Sequence, residues 1–598
     1  MSQNIIFLSL VPILSIIVSR IFNSSKTLNY ISPIIIYSIT LIALFLNIDF
    51  SQLSIPFLTV NGYEINLLFN FIQEHILMSK VVLFISILVL YYSSKFVEPE
   101  DKRAHARYFL FLTIFISSMF LFTLSNDLFG SFIFWEILGL SSYFLIGFWN
   151  KDSEAIRSST IAFWITRFGD LFFLAGLILI FTISGTLSID IINKEVINKD
   201  YNINLPLLLI IIGVFSKSAQ FPFNIWLPKA MKGPTPVSSL IHSATMVVAG
   251  VLLLFKLYPS ISGNELALNF LIVIGIISSV GGAIVAFFEE DLKKVLAYST
   301  ISNIGLMFLA IGIKKPDLAY FHMFSHSFFK SLLFLYAGVV IALMGTSKLE
   351  LLKSSIKLKS TMGLILIIAC CSLSSIYFFT GSFSKEYIVF SLINKKLYIA
   401  SFAMLIGTIF TCLYSARIFF NLINFDLSND LEHKINPKFL IPLVLLALLS
   451  LVGPLTMGLF NESIYIEEVP HSVVGILMLQ TLTIFVFYLY NNKRFNIVTN
   501  LNQFSIFSSF LFKTDSIYTE IYEKVFKGTS EFIAWFDRNI IDGLINYIPF
   551  KIIYYSRKLM RIQDGQAKSY AVRAIVFFIV LILAMTIIDN ILIIGELK

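Results

Sequence analysis

Long apolar runs alternate with short polar stretches over almost the whole chain. A helix needs roughly 20 apolar residues to cross a bilayer, and about sixteen runs of that kind can be drawn here. The first eight fall near 4–22, 30–47, 78–95, 107–124, 128–148, 160–184, 205–231 and 236–257. The second eight fall near 266–288, 294–313, 319–344, 360–385, 397–423, 438–460, 470–490 and 569–595. The first run lacks a basic leader and more spans follow it, so it reads as a membrane helix and not as a cleaved signal. Two runs are irregular. Pro222 and Pro228 interrupt the seventh, and Gly381 falls late in the twelfth.

The segment 515–564 has a different pattern and is too polar to span. Ile517, Ile521 and Val525 share one helical face, as do Ile540, Leu544 and Ile548. Lys524, Lys527, Arg538 and Lys551 supply charge. This predicts an amphipathic helix lying along the membrane surface or along partner subunits and bent at Pro549. Its length is on the order of 75 Å at 1.5 Å per residue.

Each irregular run carries a lysine near its break, Lys217 in Phe215-Ser-Lys217 and Lys385 in Phe383-Ser-Lys385. The two runs lie five helices apart, an odd number, so a repeat of that length is inverted in the membrane. The fold expected is an all-α polytopic membrane protein of about 16 transmembrane helices. It has two inverted five-helix repeats, discontinuous helices 7 and 12, and a C-terminal amphipathic lateral helix. The segments are N-terminal spans over 1–106, a first repeat over 107–257 and a second over 266–423. Further spans and a connection follow over 424–514, then the lateral helix over 515–564 and a C-terminal anchor over 565–598.

Composition agrees with this pattern. The 598 residues are 57% hydrophobic and 13% charged, with a mean hydropathy of +0.84. That excludes a soluble globular protein. The net charge of +8 is scattered over loops, and no basic block is interleaved with stacking aromatics, so no nucleic-acid partner is implied. Loops of one parity carry Lys102, Arg103, Lys151, Arg157, Lys229 and Lys232, whereas 47–79 and 461–480 hold no Lys or Arg. The basic loops are expected inside, with the N-terminus on the opposite side. Cys370, Cys371 and Cys412 fall in apolar runs and form no CxxC pair, so they define neither a disulfide framework nor a metal site.

Ionisable groups inside the spans are costly and mark transport paths. Glu136 lies in the fifth run, and the reading adopted pairs it with Lys217 as a switch for proton release. Arg167 and Asp170 stand three apart on one face of the sixth run, either a self-neutralising ion pair or a coupling element. His242 follows the Pro-Thr-Pro turn. His322, His326 and Lys330, spaced four apart, share one helical face and suggest a proton relay, with metal binding by the histidines disfavoured. Lys293 and Lys294 open the tenth run, where lysines usually snorkel, though one can face the interior. There is no Gly-x-Gly-x-x-Gly before a helix, no Walker A sequence and no cysteine cluster, so the chain reads as a carrier of protons or ions and not of electrons.

Several longer motifs then carry a resemblance. They are Lys217-Ser-Ala-Gln, Trp226-Leu-Pro, Gly233-Pro-Thr-Pro-Val-Ser, His242-Ser-Ala-Thr-Met-Val-Val-Ala-Gly250 and Asp291-Leu-Lys-Lys-Val-Leu-Ala-Tyr-Ser-Thr300. With Phe321-His-Met-Phe-Ser-His-Ser-Phe-Phe-Lys330 and Arg561-Ile-Gln-Asp-Gly-Gln-Ala-Lys-Ser-Tyr570, they resemble the antiporter-like membrane subunits of respiratory complex I, nearest the distal member. The resemblance covers essentially the whole chain and departs at Lys229 and Lys232, both placed in loops. It implies a Glu136–Lys217 charge pair in a first half-channel. It also implies a linking column of His242, Lys293 or Lys294, His322, His326 and Lys330, with Lys385 facing the exit side.

The function implied is proton translocation within an NADH:quinone oxidoreductase of an energy-transducing inner membrane, bacterial or mitochondrial. Quinone, FMN and iron–sulfur clusters would then belong to partner subunits, with no cofactor or metal in this chain. The implied partners are other complex I membrane subunits, above all the neighbouring antiporter-like ones touched by the lateral helix, and the lipid bilayer. The alternative is a subunit of a multisubunit cation/proton antiporter or a related ion-driven transporter, since these share the core motifs. A scaffold that had lost transport would be expected to shed such costly charges.

Overall fold

The computed structural model describes residues 27–46, 52–60, 63–97, 102–197, 203–352, 356–376, 379–424, 436–452, 527–561 and 563–596, with a few isolated positions besides. The expected spans 4–22 and 470–490, most of 424–514 and the start of the lateral helix lie outside the described residues. Among those described, eleven helices are long and apolar enough to cross a membrane. Three shorter apolar helices join them, Asn204–Lys217, Thr361–Ser374 and Lys438–Leu451. Contacts divide the chain into two units, Met1–Thr514 and Asp515–Lys598.

The first unit opens with α1 (Leu28–Phe45). An antiparallel hairpin of β1 (Leu53–Val60) and β2 (Tyr63–Phe69) follows. The apolar-run reading did not anticipate it, because two short alternating strands contain no stretch long enough to register as a span. Next come α2 (Gln73–Phe96), α3 (Lys102–Leu124), α4 (Leu128–Ile146), α5 (Ser153–Ser184) and the short α6 (Ile189–Ile197).

The expected seventh span is broken at its lysine. The half-helix α7 (Asn204–Lys217) ends there, and the chain resumes through a short 3-10 turn, α8 (Trp226–Lys229) and a second 3-10 turn over Ala230–Lys232. Pro228 lies inside α8 and is not itself the break. The next span is also interrupted, as α9 (Thr235–His242) and α10 (Met246–Lys256), which the sequence reading took as continuous. After a single turn, α11 (Tyr258–Ile261), come the long helices α12 (Glu265–Phe288), α13 (Leu292–Gly312) and α14 (Pro316–Met344).

The twelfth expected span forms two half-helices, α15 (Thr361–Ser374) and α16 (Thr380–Asn394), and its break precedes Gly381 and Lys385. Gly381 belongs to the second half, where a Cβ would lie only 1.9 Å from the Ser372 carbonyl oxygen, so its role is close approach between the halves. The helices α17 (Tyr398–Leu422) and α18 (Pro437–Val452) complete the described part of this unit, with a minimal parallel pair of β3 (Ile356–Lys357) and β4 (Ile423–Asn424). The core runs along 235–256 and along α13, whose apolar windows are wholly buried.

Two regions of the core are built from matching local devices. Asp127 accepts the Gly130 N–H at 2.5 Å and caps α4, and Asp291 accepts the Lys294 N–H at 3.1 Å and caps α13. Each cap pairs back to a strand-like segment beyond a left-handed glycine, Gly185 (φ 68°) in one case and Gly345 (φ 70°) in the other. The Leu128 N–H reaches Leu187 O at 2.9 Å, and the Leu292 N–H reaches Ser347 O at 2.9 Å. A buried cation then closes the preceding helix. Lys256 donates to Phe122 O at 2.9 Å and to Ser125 O at 2.7 Å, while Arg417 donates to Phe287 O and, at 2.8 Å, to Glu289 O. Helix C-termini leave carbonyls unpaired and carry partial negative charge, so a buried cation satisfies both demands.

In the second unit, α19 (Gly528–Phe536), a π-helical turn over Asp537–Ile541 and α20 (Asp542–Met560) run consecutively, with Pro549 inside α20. A turn with Gly565 at φ 72° leads into α21 (Ala567–Glu596). Asp564 organises that turn. Its carboxylate accepts from Ser569 Oγ at 2.5 Å, from the Gln566 N–H at 3.3 Å and from Arg573 at 3.0 Å. The Ser569 hydroxyl above all, with the Gln566 N–H and the Arg573 guanidinium, holds this carboxyl below the usual carboxylate range.

The clamp on α3 is directly testable. Lys256→Met is expected to leave two buried carbonyls unsatisfied at a cost of roughly 1–3 kcal/mol. It should lower the thermal midpoint of the purified protein, whereas Lys256→Arg, with the cation found at Arg417, should be tolerated.

Candidate functional site

The sequence Phe215-Ser-Lys-Ser-Ala-Gln220 ends α7 by folding its last carbonyls inward. Ala219 adopts φ 52°, which turns the Gln220 N–H back onto Phe215 O at 2.8 Å. Trp226 Nε1 donates to Ser216 O at 2.9 Å, and Ser216 Oγ donates to Ile165 O at 2.7 Å, fixing the break against α5. Lys217 is therefore the last residue of a half-helix, at its negative dipole end, and is fully buried.

Its ammonium meets Asp170 on α5, with Nζ 3.2 Å from Oδ2. The other carboxylate oxygen of Asp170 accepts from Trp135 Nε1 at 2.6 Å. Lys217 Nζ also sits 5.2 Å from the Trp135 ring centroid, within cation–π range. Gly139, one turn beyond Trp135, makes room for it, since a Cβ there would lie 2.8 Å from Nζ.

This corrects the expected Glu136–Lys217 pair and, of the two readings open for Arg167 and Asp170, removes the self-neutralising ion pair. Glu136 is in an ion pair with Arg167, and Asp170 with Lys217. The reason is angular. Trp135 and Glu136 are consecutive, so they leave α4 about 100° apart. Only Trp135 projects to where Asp170 and Lys217 meet. Glu136 and Arg167 occupy the rim, with side chains 18% and 31% exposed, while Asp170 and Lys217 are 3% and 0% exposed. A deep pair needs further hydrogen bonds to offset its desolvation, and the Trp135 indole supplies one.

The remaining candidates gather around α13, α14 and α16. His322, His326 and Lys330 are fully buried on α14, with the two imidazole centroids 6.3 Å apart. His322 Nδ1 hydrogen-bonds Ser384 Oγ at 2.7 Å. Lys330 donates to Ser299 Oγ and, at 3.4 Å, to Leu296 O on α13. His242 ends α9 stacked on Phe334, with centroids 4.6 Å apart. Neither ring nitrogen of His242 has a hydrogen-bond partner among the described residues. Lys385 donates to Leu373 O at 2.8 Å, a terminal carbonyl of α15.

The two Phe-Ser-Lys motifs are thus not equivalent places, since Lys217 ends the half-helix before its break and Lys385 lies in the one after. Of the two lysines opening α13, Lys293 faces inward. Its ammonium holds Met231 O at 2.6 Å and Gly233 O at 2.9 Å, which makes it a clamp on the Gly-Pro-Thr-Pro loop. Lys294 is only half-buried. Lys232 pairs with Glu154, whose carboxylate holds the ammonium above its usual range. Among the described residues, no three His, Cys, Asp or Glu side chains come together as a metal set.

Sequence reasoning missed Trp135, Gly139, Ser299 and Ser384. Trp135 and Gly139 flank Glu136 on the fifth run, and a buried indole N–H that needs an acceptor was the available signal. Trp135→Phe is expected to remove a hydrogen bond to a charged group, of roughly 1.5–3 kcal/mol. It should loosen Asp170, read as a lower thermal midpoint, with Gly139→Leu disturbing the same cluster from the Lys217 side.

Residues 125–411 match the family described as NADH:quinone oxidoreductase/Mrp antiporter, transmembrane. The chloroplast NAD(P)H-quinone oxidoreductase subunit 5 of Mesostigma viride is 30% identical over 553 residues, covering 85% of this chain and 84% of that protein. NADH-ubiquinone oxidoreductase chain 5 of Hypocrea jecorina is 33% identical over 484 residues, covering 76% of this chain and 68% of that protein. Two solved structures share the fold. A chain of the Mrp complex from Dietzia sp. DQ12-45-1b aligns with a TM-score of 0.72 at 22% identity, over 98% of this chain and 63% of that one. A chain of the archaeal membrane-bound sulfane sulfur reductase aligns with a TM-score of 0.66 at 21% identity, over 81% of this chain and 99% of that one. With its identity to a subunit 5 protein sustained over most of both chains, and with its antiporter-type helical core, this chain belongs to the subunit 5 family of the NADH:quinone oxidoreductases.

Proposed function

We propose that this chain is a proton-translocating membrane-arm subunit of an NADH:quinone oxidoreductase in an energy-transducing inner membrane. The observation that carries the reading is the fully buried Asp170–Lys217 pair at a broken helix, followed by further buried bases at Lys330 and Lys385. Redox energy would be released in partner subunits that hold quinone, FMN and iron–sulfur clusters. It would reach this chain as an electrostatic or conformational signal.

The chemistry required is modest. Paired with Asp170, Lys217 keeps its proton. Desolvation disfavours a lone charge, so withdrawing the carboxylate drives that proton onward. Trp135 donates to the other oxygen of Asp170 and would keep the carboxylate hydrogen-bonded once the ammonium is neutral. The Glu136–Arg167 pair on the adjoining face of α4 and α5 is placed to bias Asp170 from outside. His322, His326 and Lys330 then lead toward Lys385 by way of Ser384.

The matching caps at Asp127 and Asp291, the left-handed Gly185 and Gly345, and the clamps at Lys256 and Arg417 support two inverted repeats. The exposed apolar positions of α19, α20 and α21 suit lipid or neighbouring membrane subunits, including other antiporter-like ones.

Lys217→Met is expected to reduce protons moved per NADH oxidised severalfold, with the complex assembled. Asp170→Asn should do the same by removing the counter-charge. The check is acidification of inverted vesicles alongside NADH oxidation. Wild-type pumping by an assembled Lys217→Met complex would sink the reading.

A further inference from the structure

Four lysines gather at one end of the bundle and take no part in the buried series. Lys314 and Lys315 join α13 to α14, and Lys395 and Lys396 join α16 to α17. We propose that they hold the headgroup of an anionic phospholipid whose acyl chains lie along α12 and α17. The proposal is independent of the translocation reading.

The place is unusual for so much positive charge. It is the end at which α2 begins after the β1–β2 hairpin, since Tyr320 Oη on α14 donates to Glu74 O at 2.5 Å. The hairpin and its flanks, 47–79, hold no Lys or Arg. Basic residues of membrane proteins concentrate on the opposite face, so a basic group here needs a reason of its own.

Two of the lysines are also kept at a conformational cost. Lys314 and Lys396 adopt φ 59° and φ 58°. Each closes its helix with the same turn, in which the Lys315 N–H reaches Ala310 O at 2.9 Å and the Leu397 N–H reaches Leu392 O at 3.0 Å. Glycine fills such a left-handed position without strain, as Gly185 and Gly345 do elsewhere in the chain. A cation complements the negative end of a helix, which accounts for one lysine at each turn but not for two.

The two loops meet. Lys314 Nζ pairs with Glu265, at the head of α12, at 2.8 Å. Lys395 lies near that carboxylate and near Lys315 and Lys314. Partial burial first, and then those two ammoniums, hold it below the usual lysine range. Asp317 faces Lys315, whereas Lys395 and Lys396 are in no ion pair among the described residues. Positive charge is therefore in excess, and a phosphate group supplies what is missing. The head of α17 adds donors, because no side chain caps it and the N–H groups of its first turn remain for an outside acceptor.

From the lysines toward the middle of α12 and α17 the surface is apolar. Tyr398, Ile399 and Phe402 on α17 are exposed, Ile399 at 89%, and so are Leu266 and Val273 on α12. The two helices run side by side, with Gly407 against Val280. A basic group above an exposed apolar surface fits a molecule that is anionic at one end and hydrocarbon at the other. An acidic protein loop would meet the lysines and leave the apolar surface unused.

The test uses the whole assembled complex with Ile399→p-benzoylphenylalanine, reconstituted in vesicles of phosphatidylcholine with a minor share of phosphatidylglycerol. After irradiation, mass spectrometry identifies the lipid attached at position 399. Phosphatidylglycerol adducts are expected to exceed that lipid's share of the bilayer severalfold. Lys314→Gly, Lys395→Gln and Lys396→Gly together remove charge while suiting the left-handed turns, and should return the adducts to the bilayer ratio. Arginine at the same three positions should keep the enrichment. If the triple variant does not assemble, Lys395→Gln alone carries the test, with a partial loss expected. Adducts that follow bilayer composition with all four lysines present would overturn the site, as would enrichment unchanged by removing the charges. Attachment to a neighbouring subunit in place of lipid would overturn it too, by showing that protein covers this surface.

Discussion

A charge inside a membrane protein must be met by an opposite charge or by oriented dipoles, and the structure of this chain follows from how that demand is satisfied. Asp170 is the counter-charge for Lys217, and the indole of Trp135 holds Asp170. Lys256, Lys293, Lys385 and Arg417 are met by backbone carbonyls, most of them at helix ends. A continuous membrane helix has no free carbonyls to offer, so breaks and buried helix ends appear where lysines and arginines are buried. The broken helices and the buried cations are two aspects of one constraint.

That constraint also separates the buried bases by role. Lys256, Lys293 and Arg417 hold carbonyls at helix ends or loops and fasten elements together. Lys217 faces a carboxylate that could move away, and Lys330 faces a hydroxyl. Arg417 is informative because a guanidinium stays protonated throughout the physiological range. It occupies the same kind of place as Lys256, so a fixed positive charge is what that place needs.

Much of the architecture was legible in the apolar runs. Span length is set by bilayer thickness, and nearly every described long helix coincides with an expected run to within several residues. Most of the buried charged residues were legible for the same reason, since charged side chains in apolar runs stand out, but Lys256 and Arg417, near the ends of their runs, were not marked. The hairpin of β1 and β2 was not, because short strands give a weak pattern beside long spans. The break in 235–256 was hidden as well. His242-Ser-Ala-Thr contains no proline or glycine, and the interruption comes from packing within a wholly buried element.

By itself the sequence determined that this is a many-span membrane protein with ionisable groups inside its spans, among them Lys217 and Lys385 beside interrupted runs. Hydropathy and the cost of burying charge act locally along the chain, so one dimension suffices to read them. Only the tertiary structure decided the partners: Lys217 with Asp170, Glu136 with Arg167, and Lys293 with a loop. Partner choice depends on the rotation of each helix about its axis. A step of about 100° per residue directs Trp135 and its neighbour Glu136 to different sides, and only packing against α5 and α7 selects which side meets Asp170.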